Sequence, residues 1–218
     1  MTSVVILGGD SSGGLVLQAI EDLAESGREP VLECAGYLND MVPKGKMILE
    51  RPVLGGFDDW PSLPSDAHFI SAVYNPTGMR DRWQRLTGLG IPDERWVSVL
   101  HPAAWVARSA AVGVGCFISP GVVITALVTV GAHSAIRTGV HIGHHATVGV
   151  FSFVGANASI NGHCRIGDRA HIGPNSAIRD GVSIGDGAVV GIGSVVVKDV
   201  PAATIVAGNP ARVMRTID

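Results

Sequence analysis

From Trp105 to Val200 the chain places Val or Ile at the second position of every six-residue block, for sixteen blocks in succession. Four places after each aliphatic residue stands a small or β-branched one, always Ala, Ser, Cys or Val. Gly follows the aliphatic residue in nine of the sixteen blocks, so tight corners are expected to recur with the period. Six residues are too few for a helix and a loop but suffice for one short strand and a turn. A short fixed period of this kind marks a solenoid, here a parallel β-helix with its aliphatic residues pointing inward. Three strands close one triangular coil of eighteen residues, which gives a prism on the order of 25 Å tall at one strand spacing per coil. Stacked Val and Ile form the core, and the ladder between coils satisfies the backbone amides. Cys116 and Cys164 fall in the small corner slot, where packing is their expected role.

The first hundred residues follow another pattern. Val4–Leu7 reads as a short buried strand, followed by Gly8-Gly9-Asp10-Ser11-Ser12-Gly13-Gly14 and a helical run from Leu15 to Ala24. Strand, glycine loop and helix start make a βα turn in which the helix N-terminus favours a phosphate. The strict G-x-G-x-x-G form is absent, and the segment fits equally a tight turn that packs a helix on a strand. Further strands are predicted at Val31–Leu38, His68–Tyr74 and Trp96–Leu100, with a helix from Gly78 to Leu86. Pro52–Gly56 is expected to be a loop or edge piece. Such alternation predicts a small doubly wound parallel sheet, a Rossmann-like α/β domain over residues 1–101. Ligands of such sheets bind beyond the carboxyl ends of the strands, which gathers Asp10, Ser11, Ser12, Asn39, Asp40 and Tyr74 around one crevice. The solenoid then occupies residues 102–200, and a short C-terminal tail residues 201–218.

Composition narrows the function. The net charge of −3, from 16 Lys+Arg against 19 Asp+Glu, argues against a nucleic-acid partner. Only 16% of residues are charged, which predicts that other copies cover part of the surface. Three cysteines without framework spacing suit a reducing compartment. The N-terminus lacks the basic flank and long apolar run of a signal peptide, and no apolar stretch approaches membrane-spanning length. A cytoplasmic protein without membrane insertion is the expectation.

Several segments carry a family pattern together: the glycine loop, Tyr37-Leu38-Asn39-Asp40, Pro52-Val53-Leu54-Gly55-Gly56, His101-Pro102, the hexads, and the closing Gly208-Asn209-Pro210-Ala211-Arg212. In this order they resemble the bacterial sugar acyltransferases related to sialic-acid O-acetyltransferase and the UDP-4-amino-sugar N-acetyltransferases, over essentially the whole chain. The resemblance implies a left-handed β-helix, a homotrimer, and acetyl-CoA lying along the groove between neighbouring prisms. It also implies a nucleotide-linked sugar on the N-terminal domain and no metal.

Six of the eight histidines lie in the repeat. His133, His163 and His171 are expected to be solvated surface residues, with His145 and His163 stacked on neighbouring coils because they lie eighteen apart. His144 falls where the family motif carries its catalytic histidine, which implies a general base for acyl transfer from a thioester. His145 stands where the family has an acidic partner for that base, so the catalytic pair here is His144 and His145. Phe153 replaces the family's second histidine, beside the acyl donor, and Arg137 the asparagine before the catalytic rung. Ser11-Ser12-Gly13 replaces a Gly-His-Gly, and Asn39-Asp40 a pair of aspartates. The donor side maps onto Phe153, Gly162, Gly173, Pro174, Gly191, Ile192, Gly193, Pro210 and Arg212, and the acceptor side onto the crevice residues with Arg137. The departures point to an acceptor other than the usual UDP-amino-sugar.

Two other functions fit a hexapeptide solenoid. A zinc hydratase of the γ-carbonic-anhydrase type needs histidines five and thirty-six residues apart, and no pair among the six has either spacing. A non-catalytic binding trimer is the second alternative, favoured by the substitutions at Arg137, His145 and Phe153.

Overall fold

A computed structural model describes residues 1–73 and 79–217, with backbone alone at residues 79, 80 and 82. Tyr74 lies outside the described residues. β1 (Thr2–Leu7), α1 (Asp10–Glu25), β2 (Leu32–Leu38), β3 (Met47–Ile48), β4 (Arg51–Gly55), β5 (His68–Ser71) and α2 (Met79–Gly88) make the N-terminal unit. The sheet order is β3-β4-β2-β1-β5, with β3 antiparallel to β4 and the other pairs parallel. Val4 and Ile6 pack on one side against Val16, Ile20 and Leu23 of α1. Val5 and Leu7 pack on the other against Leu86 of α2, Leu89 and Ile91. Burial on both faces explains why β1 reads as a continuous apolar run rather than an alternating one.

Three expectations for this unit need correction. Asp10 to Gly14 is not a loop but the opening of α1. Gly13 and Gly14 serve close packing there, since a Cβ would lie 2.9 Å from the Tyr37 ring and 2.8 Å from Leu49 respectively. Pro52–Gly55 is a strand one place in from the sheet edge. Trp96–Leu100 is not a strand of this sheet: Trp96 makes a single bridge to Phe69, while β6 (Val99–Leu100) pairs with Phe117–Ile118 of the solenoid. The chain therefore passes from one sheet to the other within three residues. The Trp96 ring spans the junction, edge-on to Phe69 at 6.3 Å and to His133 at 4.8 Å.

Trp105–Val106 to Val195–Val196 are sixteen two-residue strands, one at the head of every hexad. They stack eighteen residues apart in three parallel sheets. From Ile118 onward every second-position aliphatic residue is buried, while Val106 and Val112 on the open first coil are half-buried. Thr204–Gly208 and Ala211–Thr216 form an antiparallel hairpin that extends the sheet containing Phe153 and His171. Serines in the corner slot satisfy their hydroxyls on turn carbonyls, as Ser134 does on Gly149 at 2.8 Å and Ser152 on Gly167 at 2.8 Å.

The glycines after the aliphatic residues do not supply the corner conformation. Gly143 is needed because a Cβ there would lie 2.6 Å from the Gly162 amide nitrogen on the next coil. The left-handed backbone falls two places later, on non-glycine residues such as His133, His145, Phe151, Asn157 and His163, with φ between 55° and 60°.

Two histidines expected at the surface are buried, His133 at 8% exposure and His171 at 7%. His133 is covered by the N-terminal unit: it stacks on Phe151 at 4.6 Å and meets Trp96. His171 lies flat under Phe153, with ring centroids 4.8 Å apart and 2° between planes. Its Nδ1 has no hydrogen-bond partner among the described residues. Burial pushes the His171 imidazole down to about 4. The unfolded chain takes up this proton below about pH 6.5, while the folded chain resists it until about pH 4, so stability falls as pH drops through that window. At pH 5 the loss is about 2 kcal/mol. His171→Phe keeps the flat stack and removes the titration. Urea unfolding at pH 7 and pH 5 should show the variant losing about 2 kcal/mol less than the native chain.

Candidate active site

His144 and His145 occupy the prism edge between the strands His141–Ile142 and Thr147–Val148, and both are exposed. His145 and His163, one coil apart, share the left-handed corner conformation, and their rings stack at 4.8 Å and 17°. The His144 ring stands edge-on to both, 5.3 Å from His145 and 5.0 Å from His163. His144 Nδ1 and His145 Nδ1 are 3.1 Å apart. Two neutral imidazoles can share that contact only if one donates and the other accepts. With His145 accepting, His144 carries its proton on Nδ1 and keeps a lone pair on Nε2.

The His144 ring has room because residue 162, below it on the next coil, is glycine. A Cβ at Gly162 would lie 3.0 Å from both Cε1 and Nε2 of His144. The Gly162 amide donates to Asp180 Oδ1 at 3.1 Å, and Asp180 is one coil further along the same edge. An imidazole, a backbone amide and a carboxylate therefore meet in one short stretch of edge.

The other residues expected on the donor side lie elsewhere. Gly173, Pro174, Gly191, Ile192 and Gly193 follow the strands His171–Ile172 and Val189–Val190, on a second edge of the prism. Ile192 projects there at 72% exposure. Phe153 lies on a flat face, where the Arg137 guanidinium sits 5.9 Å from its ring centroid and 5.8 Å from that of Phe117. Pro210 and Arg212 are exposed on the C-terminal hairpin, and Arg212 borders a cleft of about 280 Å³ with Lys198 and Asp199. One chain does not bring the His144 edge and the Gly173–Gly193 edge together.

In the N-terminal unit, Gly9, Asp10 and Asn39 line an open cleft of about 580 Å³ with Met41, Val42, Met47, Ile48 and Leu49. Asn39 shapes it: Nδ2 donates to the Gly8 carbonyl at 2.8 Å, and Oδ1 accepts the amides of Met41 and Val42. Ser11 and Ser12 lie in the first turn of α1. Asp40 turns away from the cleft, accepting the Phe57 amide at 2.7 Å and an Arg85 guanidinium at 3.1 Å.

Sequence reasoning missed the apolar half of this cleft. Its signal was there in Met41 and Met47, 90% and 59% exposed, which flank a Pro-Lys-Gly-Lys loop where water-facing methionines are unexpected. Asp180 was missed too, although it lies thirty-six residues, two whole coils, beyond His144.

Comparison with known proteins bears on this arrangement. The bacterial transferase hexapeptide model (six repeats) matches residues 151–180 and 163–198. Residues 151–198 of the solenoid thus match bacterial transferase hexapeptide repeats. A search of curated protein sequences gives no match. Among solved structures, the chain is similar to the acetyltransferase domain of PglB from Neisseria gonorrhoeae FA1090 in complex with acetyl coenzyme A. That match has 25% identity and a TM-score of 0.84, and covers 97% of this chain and 98% of the other. It is similar also to a histidine-to-asparagine mutant of perosamine N-acetyltransferase from Caulobacter crescentus, in complex with CoA and GDP-perosamine. There the identity is 25% and the TM-score 0.85, covering 99% of this chain and 98% of the other. WeeI from Acinetobacter baumannii AYE shares the fold at 24% identity and a TM-score of 0.82, over 98% of this chain and all of the other. Both the cleft-bearing sheet and the prism are thus matched in each. No helix among the described residues is long and apolar enough to cross a membrane.

Gly162→Ala is expected to push the His144 ring aside and break its 3.1 Å contact with His145. Because the exposed ring can give way, the change should alter stability by no more than about 0.5 kcal/mol. A crystal structure of the variant with the ring unmoved would contradict this account of Gly162.

Proposed function

We propose that this chain is an acetyl-CoA-dependent acetyltransferase acting on an amino or hydroxyl group of a nucleotide-linked sugar. The observation that carries the reading is the 3.1 Å contact between His144 Nδ1 and His145 Nδ1 beside the Gly162 amide; with His145 accepting, it leaves the His144 Nε2 lone pair free. His144 Nε2 takes the proton from the attacking nitrogen or oxygen as that atom bonds to the thioester carbonyl carbon. The Gly162 N–H, released by the exposed Asp180, donates to the resulting oxyanion. Collapse of the tetrahedral adduct expels the CoA sulfur, which recovers the proton from the His144 imidazolium. Every proton is accounted for without another cofactor.

Residues 1–101 act in this reading as a Rossmann-like domain for the sugar nucleotide. Asp10 and Asn39 line the cleft, and Ser11, Ser12 and Tyr74 are assigned to the acceptor with them. Asp40 supports from behind through Arg85. The prism, residues 102–200, is left-handed, and residues 201–218 complete the CoA side. Three chains associate so that the His144 edge of one prism faces the Gly173–Gly193 edge of its neighbour, which unites the two sets of donor-side residues. The exposed Leu127, at 54% on the His145 edge, and Ile192 on the other suit such a contact. Arg137 and Phe153 form the wall of the groove. The protein works in the cytoplasm, where acetyl-CoA is made.

The test is incubation with acetyl-CoA and a panel of nucleotide-linked amino sugars, following release of the CoA thiol. Turnover with at least one acceptor is expected, and no turnover together with no CoA binding would leave the non-catalytic trimer as the reading. His144→Ala should lower kcat by about 10²–10⁴-fold. His145→Glu should move the acidic limb of the pH–rate profile upward by roughly one pH unit, because a carboxylate stabilises the His144 imidazolium. An unmoved limb would remove His145 from its positioning role.

A further inference from the structure

We propose that His144, His145 and His163 form a binding site for one divalent transition-metal cation of the zinc, nickel or copper class. One ring nitrogen from each lies within 4.8 Å of the others, and His144 Nδ1 and His145 Nδ1 are already 3.1 Å apart. In a tetrahedral site with Zn–N bonds near 2.0–2.1 Å, neighbouring ligand nitrogens are roughly 3.4 Å apart. To reach that spacing the stacked His145 and His163 rings must turn out of parallel so that their in-plane lone pairs converge, and all three rings are exposed and can turn.

The backbone keeps the three together. The His163 amide donates to the His144 carbonyl at 2.9 Å, and His145 and His163 repeat the same left-handed corner one coil apart. Gly162 leaves the space between them unfilled. An all-imidazole set selects borderline ions over magnesium and calcium, which prefer oxygen ligands. The histidine spacings of one and eighteen residues differ from the five and thirty-six considered for a hydratase, so this is a separate arrangement.

The cation acts as an inhibitor of the transfer, a consequence that rests on His144 being the base. Bound through Nε2, the metal occupies the lone pair that takes the substrate proton. Bound through Nδ1, it forces the ring proton onto Nε2, with the same result. Neither mode changes the net proton count of a neutral imidazole.

Calorimetric titration of metal-free protein with zinc chloride tests the site, beside His163→Phe, which keeps a flat ring on His145 but no donor. The native chain should take up one zinc, and the variant should bind at least roughly tenfold more weakly. No uptake by the native chain, or equal affinity in the variant, overturns the site. In the transfer assay the native rate should fall as zinc binds and return on adding EDTA, while the variant, compared with its own metal-free rate, resists zinc. Zinc bound at full occupancy with an unaffected rate overturns the inhibition. A His163-dependent zinc site on a chain with no transferase activity supports the site and fails the transferase reading alone.

Discussion

Each coil must sit one strand spacing above the last, and the rest of the molecule follows from that contact. Backbone pairing between residues eighteen apart is continuous along all three faces. It leaves no room for a Cβ at Gly143 or Gly173, where the next coil's backbone would come within 2.6 and 2.7 Å. The same stacking places His163 under His145 and Gly162 under His144. The candidate chemistry is thus a product of coil spacing rather than of a specialised loop. The left-handed backbone of His145 and His163 is equally architectural, because Leu127, Asn157 and Asn175 adopt it at corners with no chemistry.

The second organising contact joins the two units. Trp96 bridges Phe69 on one side and His133 on the other, Phe151 continues the stack, and Asp22 of α1 receives His101 at 2.7 Å. Aromatic packing and the His101–Asp22 hydrogen bond anchor the cleft-bearing sheet on the upper coils. The distance between cleft and His144 edge is therefore set by rigid elements on both sides.

The prism was legible in the sequence almost residue by residue, because two positions in six are constrained and a slip would expose the Val and Ile column. The first sheet was legible in outline through β1, β2 and the helices. Its errors have physical causes. Gly13 and Gly14 were read as loop because sequence does not show the Tyr37 and Leu49 side chains that press on them. Trp96–Leu100 was read as one strand because its apolar residues serve two sheets in turn. His133 and His171 were read as solvated because period alone places them outward, and says nothing of Trp96 or Phe153 lying over them. The His144 edge was found through family motif, while Asp180 and the methionine-lined cleft wall emerge only from three-dimensional proximity.

In a lattice with an eighteen-residue translation, a side chain's address is its position within the coil, and the coil number is a separate coordinate. Phe153 and His171 share one address on successive coils, ring upon ring. Phe117 and Ala135 hold the same address above them. Chemical identity can therefore shift along the prism axis by whole coils while the core beneath stays unchanged. An imidazole at Phe153 and one at His171 are neighbours in this coordinate, one step apart. For a molecule of this kind the fold constrains what stands at each address far less than it constrains the addresses themselves.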